Sequence, residues 1–527
     1  MEKSINTKAL EESPLPPINW DRCHVFIPRK GRFCNQFPSN GATYCGNHIH
    51  LTGSTTGRKR IPCPIDPTHM IFKDQVEKHK LSCPKLRQQQ ERENKPYFRR
   101  NINLGGHGTL GDTSSRDKTM EWAQNFALKL LEVHQTIFTG KCPDNLRQIT
   151  QENIYDSIPM QDFSQPEMEA GLPQAVEAYR IKSGGQRHLI QQASLIGHLR
   201  KIGVLPGLDQ PRTISDDITF LELGAGRGML GLVAAGVACA SIPATVRLAL
   251  VERAGSRSKA DTVLRTIRDI SDIPTTTLHY MKLKSLKWSR LQCDLSHVHM
   301  PTVINQFTSE TNKNAEKLQN EQGKSSKQKV VVIAKHLCGA GTDLALKSLR
   351  DIRSQLDACV MATCCHGVCS WSEYVGREHL CKVFKEHDLC FGEHEFELLR
   401  RWSSGTVAMP CHSSTEKLVG QKDKLDLTLT LSAGATEEHT SCTDDDPFPF
   451  SLSSIILHGG LLCNVHGIGR ACQRLLDYGR CKYIEHELEF GSSCSTSALS
   501  AVALCHYVPE AVTPQNAALV CYKMETL

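Results

Sequence analysis

The stretch FLELGAGRGMLGLVAA, residues 220–235, decides the fold of this 527-residue chain. It runs from an apolar strand-like segment through a glycine-rich turn into an apolar helix-like segment, which is the arrangement of a cofactor-binding loop. Gly224 and Gly226 allow a sharp bend and close approach of a ligand to the backbone. A glycine loop alone is a weak signal, so the residues around it have to indicate which cofactor it binds.

Acidic residues around the loop favour S-adenosylmethionine over a dinucleotide. Glu222 lies two residues before the first glycine, where a carboxylate opposes a pyrophosphate but suits the ammonium of the methionine part. Glu252 ends the run LALVE, where it is placed to accept from both ribose hydroxyls, and Asp294 in LQCDLSHV is placed to accept from the adenine amino group. The candidate cofactor-binding residues are therefore Glu222, Gly224, Gly226, Gly228, Glu252 and Asp294.

Strand-like and helix-like segments alternate around the loop. Apolar runs at 217–226, 245–252 and 329–339 have the composition of buried strands, and residues 120–138 have the spacing of an amphipathic helix. This alternation predicts an α/β fold with a mostly parallel, doubly wound sheet. We expect two small zinc-binding modules to precede that fold.

Those modules are predicted by two clusters of cysteine and histidine. The first is a Cys3His set: Cys23, Cys34, Cys45 and His48. The second set is Cys63, His69, His79 and Cys83. We expect His79 and Cys83, four residues apart, to project from one face of a helical segment. Each set fills the four positions of a tetrahedral Zn²⁺ and leaves none for water, so we expect two structural sites whose metal stabilises the fold.

The composition of the chain indicates in which compartment the protein is found and what kind of partner it binds. The chain has 23 cysteines but neither an apolar leader nor an apolar run of about 18 residues that could span a bilayer. We expect an intracellular protein of the nucleus or cytoplasm, not secreted and not in a membrane, whose clustered thiols bind metal or serve catalysis. Residues 21–100 hold sixteen Lys and Arg against six Asp and Glu, which favours a nucleic-acid partner.

Changes in composition divide the chain into five parts. We expect a disordered N-terminus (1–20), a CCCH zinc finger (21–53), a CHHC zinc finger (58–86), a linker (87–117) and the methyltransferase domain (118–527). Polar segments near 300–328 and 411–447 predict surface insertions in that domain.

Several motifs, taken in order, resemble one family. After the two fingers these are RHLIQQASL (187–195), FLELGAGRG (220–228), AKHLCGAGTDLAL (334–346), ATCCHGVCSWSEYVG (362–376) and GRACQRLLDYGR (469–480). Together they resemble the eukaryotic tRNA methyltransferases that methylate the ribose 2′-oxygen of nucleotide 4, over most of residues 20–525. The resemblance implies a Rossmann-like methyltransferase domain, with S-adenosylmethionine and Zn²⁺ as cofactors. It implies as partner the acceptor stem of a few tRNAs, such as those for glycine, proline and histidine. Gly367 stands where this family often has a second histidine after CCH.

The candidate catalytic residues follow from what this reaction needs. A ribose 2′-hydroxyl is a poor nucleophile, so it must be aligned with the methyl group while its proton is accepted or offset. Lys335 and His336 after the fourth strand, and His366 after the fifth, are best placed beside the loop. Lys335 is the first choice for holding the oxygen and His366 the second, as base or orienter, although either histidine is equally well explained as a structural group.

Two other functions remain open. The thiols in ATCC suit an RNA cytosine-5 methyltransferase, which attacks the base with a cysteine. The other is a zinc-dependent RNA-binding protein with an inactive methyltransferase fold.

Overall fold

A computed structural model of the chain describes residues 16, 20–27, 31–38, 42–45, 48, 60–105, 119–160, 186–206, 217–242, 245–255, 259–269, 284, 286–307, 328–406, 450–490 and 501–523. The chain divides into two compact units, Met1–Phe98 and Arg99–Leu527.

Among its described residues, the first unit contains two short antiparallel strand pairs and two helices. Its elements are β1 (Phe26–Ile27), β2 (Arg32–Phe33), β3 (Arg60–Pro62), β4 (Met70–Phe72), α1 (Val76–Ser82) and α2 (Pro84–Glu93). Buried cysteines form the centre of its two small cores: Cys23, Cys34 and Cys45 in one, Cys63 and Cys83 in the other. Cysteines therefore occupy positions that aliphatic side chains fill in larger domains, so these cores depend on what the thiols bind.

The second unit is built on a seven-stranded sheet. Its strands are β5 (Asp217–Leu223), β6 (Val246–Glu252), β7 (Lys287–Gln292), β8 (Gln328–Ala334), β9 (Leu356–Ala362), β10 (Ala501–His506) and β11 (Ala517–Tyr522). They lie in the order β7-β6-β5-β8-β9-β11-β10. Strands β5 to β9 run parallel, β11 is antiparallel to β9, and β10 is antiparallel to β11. The prediction of a mostly parallel sheet is confirmed.

Helices pack on this sheet and on one another. They are α3 (Met120–Thr139), α4 (Gln151–Asp156), α5 (Gln186–Lys201), α6 (Met229–Ser241), α7 (Lys259–Asp269), α8 (Gly341–Leu349), α9 (Arg377–Glu386), α10 (Glu393–Trp402), α11 (Leu452–Gly459) and α12 (Val465–Glu487). Helix α3 has the predicted amphipathic pattern, and its first turn is capped by Thr119, whose side chain accepts from the backbone N–H of Trp122. Among the described residues, no helix is both long and apolar enough to cross a membrane.

The described residues of the second unit form two large apolar cores. In the first, alternate residues of the parallel strands, such as Phe220, Leu248 and Val331, pack with α5, α6 and α7. The second core joins α3, α9, α10, α11 and α12. Helix α12 is buried along most of its length, so it is the central element of that core.

Strand order determines where a ligand can bind. From β5 the chain proceeds outward to β6 and β7, and it then returns to β8 on the other side of β5. In open parallel sheets a ligand binds beyond the carboxyl ends of the strands at such a switch point. The residues that follow β5 and β8 are Gly224 and Lys335, so both motifs reach this position.

The structure differs from the predicted linker over 87–117. Helix α2 includes Pro84–Glu93, and the second unit begins at Arg99 rather than at 118. The side-chain amide of Asn103 donates to the backbone oxygens of Leu295 and Val298 (2.7 and 2.8 Å), which explains why this segment packs on the second unit. The predicted insertion near 300–328 begins with helical residues at 300–307. Its remainder, the insertion at 411–447 and most of 1–20 lie outside the described residues.

Candidate active site

A cavity of about 630 Å³ opens at the switch point. It lies between the glycine loop, the start of α5 and the segments that follow β8, β9 and β10. Seven of the residues predicted for the site line it: Glu222, Gly224, Gly226, Gly228, Glu252, Lys335 and His336. Among the described lining residues, neither Asp294 nor His366 appears.

The glycine loop adopts backbone conformations that favour glycine. Gly224, Gly226 and Gly228 have φ angles of 63°, 48° and 74°. A Cβ at Gly224 would overlap the side chain of Leu337, whereas a Cβ at Gly226 would meet no atom within 4 Å. The loop therefore packs closely on one side and leaves open space at Gly226.

Arg290 fixes this loop from β7. Its Nε donates to Oδ1 of Asp261 (2.8 Å), and its Nη1 donates to the backbone oxygen of Gly226 (3.0 Å). The ion pair with Asp261 is largely buried, so it holds the guanidinium in one orientation. The sequence analysis missed this residue because nothing local to KWSRLQ indicates a contact with a loop 64 positions away.

Glu252 ends β6 beside the loop. Its Oε2 accepts from the backbone N–H of Gly226 (2.8 Å) and its Oε1 from that of Ala254 (2.9 Å). Because each carboxylate oxygen has two lone pairs, both oxygens can accept one more hydrogen bond. This geometry suits a ligand that presents a pair of hydroxyl groups.

Glu222 lies deeper in the same cavity. Its side chain is buried, and its Oε2 accepts from the backbone N–H of Gly231 in α6 (2.9 Å). Burial raises the pKa of the Glu222 carboxyl to about 8, although the Gly231 hydrogen bond and the positive charges of Arg290 and Lys335 lower it. A cation bound next to this carboxyl would favour its ionised form.

Lys335 follows β8 and contacts α5. Its Nζ lies 2.9 Å from Nδ1 of His188, whose ring also approaches Oε1 of Gln191 (3.3 Å). Burial lowers the pKa of Lys335 to about 8, while the negative charge of Glu222 acts in the opposite direction. His188 belongs to the RHLIQQASL motif, but the sequence analysis did not assign it a role. Its place in a motif at the start of helix α5 was the available signal.

His366 follows β9, as predicted, but it is not among the described residues that line the cavity. Its Nε2 lies 2.9 Å from Oδ2 of Asp477, and Asp477 also accepts from Arg480 (2.9 Å) and from Thr363 (2.7 Å). Arg480 in turn donates to Asp343 (2.8 Å), which completes a buried network. Although burial raises it, the neighbouring His366 and Arg480 hold the pKa of Asp477 below its usual value. His366 therefore braces the loop after β9 from behind rather than facing the cavity.

Asp294 also lies away from the cavity lining. It follows β7 as predicted, but its Oδ1 accepts from both the backbone N–H (2.9 Å) and the hydroxyl (2.7 Å) of Ser296. These bonds form a local turn at the end of the strand. The adenine contact predicted for Asp294 stays a prediction.

His336 faces a group of thiols. Its Nε2 lies 3.0 Å from Sγ of Cys338, and its Nδ1 lies 3.2 Å from Sγ of Cys364. The side chain is exposed and lies at the rim of the cavity. This placement associates His336 with the cysteines of two loops.

The two predicted zinc sets are each assembled in the first unit. In both sets the four candidate donor atoms lie within 4.8 Å of one another. Sγ of Cys34 lies 4.0 Å from Sγ of Cys45, and Sγ of Cys63 lies 3.9 Å from Sγ of Cys83. Such separations suit four ligands around one ion with bonds of about 2.0–2.3 Å. Cys83 follows the end of α1 instead of lying within it, which differs from the predicted helical pair.

Comparisons with known proteins extend these observations. The family profile described as Methyltransferase TRM13 matches residues 190–522. Profiles described as a CCCH zinc finger in TRM13 protein and a U11-48K-like CHHC zinc finger match residues 21–49 and 60–84.

Curated relatives resemble the whole chain. The chain is 24% identical to the tRNA:m(4)X modification enzyme TRM13 of Vanderwaltozyma polyspora, over 95% of this chain and 97% of that protein. It is 26% identical to the tRNA:m(4)X modification enzyme TRM13 homolog of Mus musculus, over 88% of this chain and 89% of that protein. The human homolog of the same name is also 26% identical, over 88% of this chain and 89% of its own length.

Proposed function

Because the chain belongs to the Methyltransferase TRM13 family, we propose that it transfers a methyl group from S-adenosylmethionine to the ribose 2′-hydroxyl of nucleotide 4 in the acceptor stem of a subset of tRNAs. The relatives named as tRNA modification enzymes support tRNA as the substrate. Because tRNA occurs in the nucleus and the cytoplasm, the protein would act in one or both of these compartments.

One observation carries the proposal: the glycine loop, Glu252 and Lys335 line a single cavity at the switch point of the sheet. The loop and Glu252 are suited to a cofactor that has a ribose, and Lys335 is suited to an oxygen that becomes negative. The residues suited to the cofactor and the lysine suited to the acceptor oxygen therefore lie in the same cavity, so no separate domain has to supply either of them. An inactive fold that only binds RNA gives no reason for these residues to meet.

The residues of the cavity fit S-adenosylmethionine. Both oxygens of Glu252 keep acceptor capacity for ribose hydroxyls. Open space lies over Gly226, where a Cβ would project. Oε1 of Gln192, another lining residue, is buried without a hydrogen-bond partner among the described residues, so it is available to a donor on the ligand. When bound, the cofactor supplies an electrophilic methyl group.

The side chains of the protein align and stabilise the acceptor. Lys335 donates from Nζ to the 2′-oxygen and offsets the negative charge that develops there, while the hydroxyl proton is released to solvent water. His188 holds Nζ of Lys335 in place through Nδ1. His366 has a bracing role, because its ring is engaged with Asp477 behind the cavity.

The basic first unit suits contacts with RNA phosphates. Its zinc sites have all four positions filled by protein ligands, which indicates structure rather than chemistry. Phosphate contacts made by lysine and arginine weaken as salt rises, so tRNA binding should depend strongly on ionic strength.

The experiment compares two tRNA substrates that differ by one oxygen atom. Purified full-length protein is incubated with methyl-labelled S-adenosylmethionine and a tRNA carrying either ribose or 2′-deoxyribose at nucleotide 4. We expect label in the ribose substrate, recovered as a 2′-O-methylnucleoside, and none in the deoxy substrate. A tRNA with 2′-deoxyribose at nucleotide 5 is the matched control and should still be methylated. Labelling of the substrate that is deoxy at nucleotide 4 would contradict the proposal.

A cysteine-dependent base methylation is the second candidate, because Cys364 and Cys365 line the cavity. That reaction passes through a bond between a cysteine sulfur and the base. A stable adduct with an RNA containing 5-fluorocytosine would favour it over ribose methylation.

A further inference from the structure

Four metal-binding side chains meet beyond the carboxyl ends of β8 and β9. They are His336, Cys338, Cys364 and Cys365, and one donor atom from each lies within 4.8 Å of all the others. Sγ of Cys338 lies 3.4 Å from Sγ of Cys365 and 3.0 Å from Nε2 of His336. These residues belong to two loops, which follow adjacent strands of the sheet.

This group matches the first of the two zinc sets in composition, and its donor atoms lie as close together as in both sets. It is a Cys3His set, like Cys23, Cys34, Cys45 and His48. In that finger, Nδ1 of His48 lies 3.3 Å from Sγ of Cys23, and the corresponding contact of Cys364 with His336 measures 3.2 Å. Within this one chain, the same four donor types lie equally close together, within 4.8 Å of one another, where a zinc-finger profile matches.

The backbone around the group is shaped to bring the thiols together. Cys365 has a φ of 53°, in the left-handed region that non-glycine residues rarely adopt. Gly339, directly after Cys338, has a φ of 65°. Such conformations cost free energy and persist where surrounding interactions determine them, often at ligand sites. A metal bound by both loops would supply that interaction.

We propose that His336, Cys338, Cys364 and Cys365 bind a third zinc ion at the rim of the cofactor cavity. Thiolate and imidazole ligands suit Zn²⁺ and disfavour hard cations such as Mg²⁺ and Ca²⁺, and a tetrahedral Cys3His set is an accepted zinc site. On binding, the three thiols release their protons to solvent, and His336 contributes one neutral ring nitrogen. Four protein ligands leave no open position, so the ion is structural.

The third ion would join the loop after β8 to the loop after β9. Lys335 directly precedes His336, so a fixed His336 restricts the backbone from which Lys335 enters the cavity. The cysteines would then serve as ligands and not as nucleophiles. This inference goes beyond methyl transfer, and the metal count measures it independently of activity.

The test is the zinc content of the full-length protein and of matched variants, measured by inductively coupled plasma mass spectrometry after purification under reducing conditions. We expect about three zinc ions per chain, and about two after Cys338→Ser. Cys142→Ser removes an exposed cysteine that is distant in the sequence from the four proposed ligands, and this variant should keep about three zinc ions. Cys338→His should keep the third ion, because an imidazole replaces the thiolate.

Activity gives a second readout. Cys338→Ser should lower the rate of methyl transfer at least tenfold with little change in the Kd of S-adenosylmethionine, and Cys338→His should restore the rate. Where Cys338→Ser fails to fold by circular dichroism, His336→Gln, which changes an exposed side chain, replaces it. Three results would each overturn the inference. The first is a wild-type protein with about two zinc ions. The others are a folded Cys338→Ser or His336→Gln variant with an unchanged zinc count, and a Cys338–Cys365 disulfide found by mass spectrometry.

Discussion

Nζ of Lys335 lies 2.9 Å from Nδ1 of His188, which joins two motifs 147 positions apart in the sequence. An ammonium donates only to a neutral imidazole. Burial lowers the pKa of His188, and the positive charge of Lys335 lowers it further, so the ring stays neutral at pH 7. The contact therefore gives Lys335 a defined orientation in the cavity.

Replacing Lys335 tests its role at the acceptor oxygen. Lys335→Ala should lower the rate of methyl transfer by a factor on the order of 100 or more, because it removes the cation that offsets the developing charge. The measurement is single-turnover transfer to tRNA, with the Kd of S-adenosylmethionine and of tRNA measured in parallel. Both Kd values should change little. Lys382→Ala, which changes an exposed lysine on α9, is the control and should keep full activity. An active Lys335→Ala protein would exclude this role.

Glu252 tests the cofactor end of the cavity. Glu252→Ala should raise the Kd of S-adenosylmethionine by about 10- to 100-fold, since hydrogen bonds to a charged group contribute about 1.5–3 kcal/mol. Isothermal titration calorimetry measures the change, and tRNA affinity should stay close to that of the wild type. Glu121→Ala, at an exposed position on α3, serves as control. A fall in tRNA affinity equal to the loss of cofactor affinity would show that the two ligands do not have separate sites.

The pKa of Glu222 predicts a pH dependence of cofactor binding. The free carboxyl has a pKa of about 8, and a bound ammonium lowers that pKa, so the complex holds fewer protons than the free protein. Affinity should therefore increase from pH 6 to pH 7.5, by up to about tenfold per pH unit. Above about pH 8 the amino group of the ligand begins to lose its own proton, so the affinity should be compared only below that pH.

Calorimetry in two buffers with different ionisation enthalpies counts the protons released on binding. Glu222→Gln should abolish both the release and the pH dependence. An affinity that is constant between pH 6 and pH 7.5 in the wild type would mean that the ammonium binds elsewhere.

Each zinc finger should lose its metal ion independently of the other when one of its ligands is replaced. Cys34→Ser and Cys63→Ser should each remove one zinc ion and unfold only the module concerned, because the binding energy of a structural zinc is also its folding energy. Metal analysis and protease sensitivity of residues 21–84 provide the readouts. Either variant that keeps its zinc would contradict the ligand assignment for that module.

His366 should affect activity through the stability of the folded protein. His366→Ala leaves Asp477 with one partner fewer in a buried network, which should lower the free energy of unfolding by about 1–3 kcal/mol. Urea denaturation measures this, and any loss of activity should follow the loss of folded protein. A variant of wild-type stability whose transfer rate is lower at acidic pH and recovers as pH rises would instead restore His366 as the base.

The sheet was predictable because its signals are local. Strands β5, β6 and β8 are continuous apolar runs, as expected for strands buried on both faces, and the glycine loop marks the end of β5. The residues after parallel strands reach one edge of the sheet, which allowed Lys335 and Glu252 to be assigned to one cavity without coordinates. The zinc ligands were predictable because their donors lie close together in the sequence.

The remaining features depend on contacts between distant residues. The direction of the His366 ring depends on Asp477, which lies 111 positions later, and on the unusual backbone of Cys365. Pairing of β8 with β9 brings Cys338 near Cys365, although their motifs are separate in the sequence. The contact of Arg290 with the glycine loop has the same origin. No periodicity or spacing rule specifies such pairs.

The buried pair of Arg480 and Asp343 has a consequence for how missense variants of this chain are interpreted. The two residues are 137 positions apart, so α12 contributes a contact that holds the start of α8 in place. Contacts across so long a loop form late and carry an entropic cost. A harmful substitution within residues 465–487 would therefore appear in an assay as a defective enzyme, although its origin is a chain that has not finished folding.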